Sequence, residues 1–168
     1  MLTLMFKSCD LMLAFIREQN SAQSVIDIFN QIQESFGLSI FRSLFPVLLT
    51  DNGSEFSNPK ALEYDAKGNS RTKVFYCDPC ASYQKSNVEL NHEFIRKILP
   101  HGRSFNCLTQ SDINLMMSHI NSYSREKLNN KNPFDMFSFI YGDGILPRLD
   151  IRRIPANEIL LKPALLKK

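Results

Sequence analysis

The chain has 168 residues, with 20 lysines and arginines against 17 aspartates and glutamates and a formal net charge of +3. Hydrophobic residues at 43% and charged residues at 22% are an ordinary globular mixture, which excludes disorder and collagen-like structure and lets a chain of this length bury roughly two thirds of its unfolded surface. No apolar run reaches the ~20 residues of a membrane span, because Lys7, Asp10 and Arg17 interrupt the most hydrophobic stretch. With neither a basic opening nor a small-residue cleavage site after Met1, the chain reads as cytoplasmic, and its cysteines (Cys9, Cys77, Cys80, Cys107) read as free thiols.

Leu2-Thr-Leu-Met-Phe6 and Leu11-Met-Leu-Ala-Phe-Ile16 are apolar runs joined by a spacer of hairpin length, so they predict adjacent antiparallel strands. Ser21 is an N-cap candidate for a helix in which Val25, Ile28, Phe29, Ile32 and Phe36 recur at helical spacing, and Gly37 stops it. Phe45 to Thr50 is continuously apolar, as expected of a strand covered on both faces. It ends at Asp51-Asn-Gly-Ser-Glu-Phe56, where Gly53 allows the backbone to turn away. Asn58 to Arg71 is polar with a turn at Asp65 to Asn69, and Lys73 to Cys77 predicts another strand closed by Pro79.

Between Ser86 and Leu99 a second helical pattern places Phe94, Ile95 and Ile98 on one side and Glu89, His92, Glu93 and Arg96 on the other. Thr109 and Asp112 have capping-box spacing ahead of a third helix with Ile113, Met116, Met117 and Ile120 as its buried stripe. Asn132-Pro133 opens a fourth, with Phe134, Phe137 and Ile140 inward and Gly142 and Gly144 as its end. The order of elements predicts a mixed α/β layer fold, with residues 1–141 as the core and 142–168 as an extended arm bearing Arg152-Arg153 and Lys167-Lys168.

Asp51 stands where a buried strand emerges, the position at which α/β sheets hold ligands, although Asp-Asn-Gly is also an ordinary turn. Glu89, one strand and one loop later, can be brought to the same site, where carboxylates hold hard divalent cations. On the bland reading it pairs along a solvated helix face with Lys85.

Thr50 to Phe56, Phe75-Tyr-Cys-Asp-Pro79, Gln84-Lys85 leading to Glu89, Asn91-His-Glu-Phe-Ile-Arg96, Leu99-Pro-His-Gly102 and Phe105 together resemble the core of the integrase-like DDE transposases. The likeness is to the insertion-sequence thirty family, and it extends over His119 to Tyr123, Leu128 and Asn132 to Phe137. The resemblance implies a ribonuclease-H-like fold in which two Asp and one Glu bind two Mg²⁺ or Mn²⁺ ions that cut and join DNA. By position Asp51 resembles the second Asp and Glu89 the Glu, the two expected metal ligands here. Glu55 and Glu93 are expected to point elsewhere.

The first Asp would lie on a strand before Leu2, so the resemblance implies a core with its leading strand missing and little activity of its own. Asp10 falls in the hairpin spacer and is a poor substitute, and the family's helix-turn-helix region is also absent. Ser86 and Leu90 depart from the family's usual Gly and Asn. The implied partners are DNA and intact transposase subunits or a second copy. The rival reading is a non-catalytic DNA-binding or transposase-associating remnant.

His92, one helical turn after Glu89, is an auxiliary candidate beside the scissile phosphate, against a packed helix-edge histidine. Lys85, Arg96, Lys97 and Arg103 are the expected phosphate contacts, with Arg125 and Lys127 as further residues that could line a DNA path, against ordinary solvated charges. Cys77-Asp-Pro-Cys80 has C-x-x-C spacing without a second ligand pair and reads as two unlinked thiols. His101 and His119 read as structural.

Overall fold

A computed structural model describes residues 1–78, 86–100, 102 and 107–166, with 86–90 described by their backbone alone. The readings made for Cys80, Lys85, His101, Arg103, Phe105 and Lys167-Lys168 lie outside these residues. The strands are β1 (Leu2–Phe6), β2 (Leu11–Phe15), β3 (Val47–Thr50) and β4 (Lys73–Tyr76). The helices are α1 (Ala22–Phe36), α2 (Leu38–Leu44), α3 (Pro59–Glu63), α4 (Ser86–Ile98), α5 (Gln110–Ser122), α6 (Pro133–Tyr141) and α7 (Ile145–Arg148). They form two compact units, Arg17–Gln84 and Met1–Ile16 with Lys85–Lys168.

In the first of these, Ser21 caps α1 by accepting the Ser24 N–H, and Gly37 ends it at φ +80°, a conformation that costs glycine nothing. Gly37 also starts α2, a helix not expected from the sequence, whose Phe41 and Leu44 are buried. Phe29, Phe41 and Phe45 form an aromatic cluster with ring centroids 5.1–6.0 Å apart, Phe29 meeting the other two edge-on. Arg71 is buried against it and donates to Asn30 Oδ1 (2.7 Å), to Leu62 O (2.9 Å) and to Ala61 O (2.9 Å), which ties α1 to α3. Burial lowers its pKa.

β3 pairs in parallel with β4, Leu49 opposite Phe75. The expectation that β3 is covered on both faces is not met: Val47 and Leu49 are 55% and 48% exposed, and Phe75 opposite is 56% exposed. Two strands of four residues, with α3 reaching only the outer edge of β4 through Glu63, leave these side chains in water. The hairpin and β3 also do not share one central sheet, since the described strands form two separate two-stranded sheets.

In the second unit β1 and β2 pair antiparallel, Leu2 with Phe15 and Phe6 with Leu11. The turn bears Asp10 at φ +56°, a buried carboxylate whose Oδ2 lies 2.6 Å from Lys127 Nζ. The capping box forms, with Thr109 N–H donating to Asp112 Oδ2 (2.8 Å) and Asp112 N–H to Thr109 Oγ1 (3.3 Å), and Ile113, Met116, Met117 and Ile120 are fully buried. Asn132 caps α6 with Pro133 in its first turn. Phe137 packs edge-on against Phe6 at 5.0 Å and Tyr141 lies 5.8 Å from the same ring. This aromatic face turns Ile140 outward, 45% exposed, contrary to its expected inward position.

Residues 142–168 belong with this unit and include α7. Leu146, Ile151 and Leu166 are buried. The segment is fastened along α5 by side-chain acceptors: Ser118 Oγ takes Arg152 N–H (2.9 Å), Ser122 Oγ takes Ile154 N–H (2.9 Å), and His119 Nδ1 takes Leu160 N–H (3.1 Å). Arg153 forms a forked pair with Asp135 at 2.6 and 2.9 Å, which lowers the Asp135 pKa.

Outer strand edges are treated unequally. Asn121 accepts Met12 N–H (3.0 Å) and donates to Met12 O (2.7 Å), while Gln110 accepts Ile16 N–H (2.9 Å) and donates to Ala14 O (2.9 Å), so α5 closes the free edge of β2. Antiparallel alternation then points the N–H and C=O of Thr3 and Met5 to the opposite edge of β1, where no strand pairs among the described residues. In the other unit Glu63 Oε1 accepts Val74 N–H (3.0 Å) on the outer edge of β4. The corresponding edge of β3, at Val47 and Leu49, has no strand beside it among the described residues.

Candidate active site and nucleic-acid interface

Asp51 follows directly on Thr50, whose C=O accepts Cys77 N–H at 2.7 Å, so its backbone is held by the last rung of the parallel ladder. Its Oδ1 accepts Gly53 N–H (3.3 Å). Gly53 itself has φ −63°, open to any residue, so it is not there to turn the chain as the sequence suggests. A Cβ on it would lie 2.5 Å from Glu55 Oε2 and 3.0 Å from Asp51 Oδ1.

The carboxylates of Asp51 and Glu55 therefore both lie against the Gly53 backbone, which corrects the expectation that Glu55 points elsewhere. The short helical turn Ser54–Phe56 brings Glu55 back over Gly53, and Arg17 Nη2 stands 3.7 Å from Glu55 Oε1. The turn is pinned to the sheet by Tyr76 OH donating to Phe56 O at 2.6 Å. Oxygen donors on a rigid strand end suit a hard divalent cation. Among the described residues no group of three or more metal-ligating side chains comes together.

Glu89 lies within α4, three residues before His92, and its side chain is outside the described atoms. Asp51 belongs to one unit and position 89 to the other, so their approach is a matter of proposal. His92 Nε2 lies 3.0 Å from Thr3 Oγ1, and Asn91 Nδ2 lies 3.5 Å from Met5 Sδ. These contacts seat the middle of α4 on β1. Arg96 and Lys97 are exposed, with Lys97 Nζ 4.8 Å from the centre of the Phe94 ring. Lys85 and Arg103 lie outside the described residues, and Glu93 is exposed.

Arg125, which by its charge could line a DNA path, is instead a packed cation. Its guanidinium is buried, 3.8 Å from the centre of the Phe94 ring, and donates to Asn91 Oδ1 (3.1 Å) and Ile120 O (3.2 Å), so it joins α4 to α5. Burial pushes its pKa down to about 10, still a cation at neutral pH. Cys77 is partly exposed, Cys9 is buried with its thiol pKa raised by burial, and Cys107 is exposed. No helix among the described residues is long and apolar enough to cross a membrane.

The chain is 31% identical over 90 residues to an integrase, ORF3, of Spiroplasma virus SpV1-R8A2 B, a match covering 54% of this chain and 27% of the relative. It is 24% identical over 99 residues to the transposase for insertion sequence element IS4351 of Bacteroides fragilis, covering 59% of this chain and 29% of the relative. The chain thus spans less than a third of the length of either curated relative. No family model matches it, and no solved structure does. The two similarities support a transposase or integrase family.

Proposed function

We propose that the chain carries part of a DDE-type catalytic core of the insertion-sequence thirty kind, ribonuclease-H-like in fold, that cuts and joins DNA. The observation that carries the reading is the match to proteins named integrase and transposase, together with an Asp at the end of a parallel strand and a Glu on a helix seated against the hairpin. Asp51 and Glu89 would hold Mg²⁺ or Mn²⁺, and the oxygen-donor chemistry around Gly53 fits such an ion. Bound metal ions would supply charge stabilisation for the attacking and leaving oxygens of a phosphodiester. The residues themselves contribute position: Thr50 and the Ser54–Phe56 turn hold Asp51, Thr3 and His92 hold α4, and Arg96 and Lys97 contact phosphates.

The pattern of closed and open edges supports the remaining part of the proposal. β2 and β4 have outer backbone groups taken up by Asn121, Gln110 and Glu63, while among the described residues no strand pairs on the outer edges of β1 and β3. A strand bearing the first Asp would pair along β1, and catalysis depends on it.

The test is strand cleavage with Mg²⁺ or Mn²⁺ on DNA bearing the element's ends. This chain alone should cut no more than background. Appending the leading strand with its Asp should restore cutting, and Asp51→Asn or Glu89→Gln should abolish it again. Cutting by the unextended chain that survives both substitutions would remove Asp51 and Glu89 from the chemistry. The open edge of β1 also favours the second reading, a non-catalytic subunit that pairs with an intact transposase; stable co-elution with an intact copy and no gain of cleavage on extension would select it.

A further inference from the structure

Tyr123 stands at the C-terminal end of α5 and is 42% exposed. The Phe94 ring of α4 lies 5.5 Å from it at an interplanar angle of 49°. Behind this pair the Arg125 guanidinium sits 3.8 Å from the Phe94 centroid and 5.9 Å from that of Tyr123, and Lys97 Nζ stands 4.8 Å from the Phe94 centroid. Phe94, with a cation close to its ring on two counts, serves as the backing, and Tyr123 is the ring left to water. All four residues belong to one unit.

The cluster is rigid where it is buried. Arg125 cannot leave, being hydrogen-bonded to Asn91 and Ile120 and out of water. Its charge answers Asp10, which Lys127 already pairs. A pre-placed aromatic face beside fixed cations is what an unpaired nucleobase stacks on, with its phosphate within reach of a lysine. Exposed acids, Glu93 and Glu126, stand on the same segments as Lys97 and Arg125, so phosphate attraction is modest here and stacking dominates.

We infer that Tyr123, backed by Phe94 and Arg125 and flanked by Lys97, forms a stacking ledge for an unpaired nucleotide of a DNA strand. This deepens the proposed DNA reading and rests on it: the ledge would hold a strand that has left its duplex.

The test uses the full chain and a single-stranded oligothymidylate about a dozen nucleotides long, with a duplex of equal length as reference, in fluorescence-anisotropy titrations at low and moderate salt. Tyr123→Ala should weaken single-strand binding about tenfold, by a factor that does not change with salt, and leave duplex binding as it was. Tyr123→Phe should restore the single-strand affinity. Tyr123→Leu, which keeps apolar contact with Phe94 but not a flat ring, should behave like Tyr123→Ala, so a defect in packing alone is recognised by Leu rescuing. Leu rescue, or unchanged single-strand binding by Tyr123→Ala while duplex binding persists, overturns the ledge alone. A wild-type chain that binds neither DNA overturns the ledge and the DNA reading together.

Discussion

His119 offers its Nδ1 lone pair to the Leu160 N–H, a hydrogen bond that exists only while the ring is neutral. Burial lowers its pKa, and Glu158 opposes the shift only in part. In the unfolded chain the ring takes its proton near pH 6.5, above its folded value, so the unfolded state binds the extra proton first and stability drops as the pH falls from about 6.5 toward the folded pKa. Thermal unfolding followed between pH 7.5 and 5 should show that decline, and His119→Asn, whose amide oxygen can take the same N–H, should flatten it. None of this was legible from His119 itself, which has no ligand-like spacing; its partner is a backbone group 41 residues away. Asp51 was legible because a strand and a turn announce it locally. The placement of Glu55 was not, because it depends on a helical turn that folds one residue back over another. Arg125 was legible as a charge but not as a buried one, its partners being brought together by packing rather than by spacing.

At the scale of elements, the periodic helices and their caps are written in the sequence. Ser21, Thr109 and Asn132 each cap as their spacing requires, and the buried stripes of α1 and α5 follow the apolar period. The Asn-Pro pair that announces α6 stands equally before α3 at Asn58-Pro59, a signal masked by the polar composition around it. α2 has only seven residues and borrows its start from the glycine that ends α1. The closure of β2 by α5 lies beyond local reading, since it needs Asn121 and Gln110 to be recognised as substitutes for a strand. Asn121 is fully buried and makes two hydrogen bonds to Met12, so Asn121→Leu should leave a buried N–H and C=O unpaired and cost about 2–4 kcal/mol. Urea unfolding of the variant measures this. Gln110→Leu, at a partly exposed site, should cost less.

For the whole molecule, the order of elements correctly indicates a mixed α/β protein, and the chain divides into two compact units. A segment lying between β2 and α4 forms its own core, and the chain on either side of it forms the other. Surface left by the short sheets is a liability. Leu49 and Phe75, opposite one another and each about half exposed, present an apolar face next to an edge where no strand pairs among the described residues. Leu49→Lys with Phe75→Lys should reduce self-association, read by sedimentation velocity at increasing concentration, and leave the unfolding temperature within a few degrees of the parent. A parent chain that is monomeric at every concentration would remove the liability.

Met12 and the Asn121 that completes its hydrogen bonds are 109 residues apart. During synthesis at the usual 5–20 residues per second, the hairpin leaves the ribosome roughly 5–20 s before the helix that closes its edge. The intervening 17–84 segment, a compact unit in itself, can finish its own core in that interval. Nascent β2 meanwhile presents bare backbone to whatever it meets first, so the hairpin's fate is decided by the order of synthesis as well as by the stability of the finished fold.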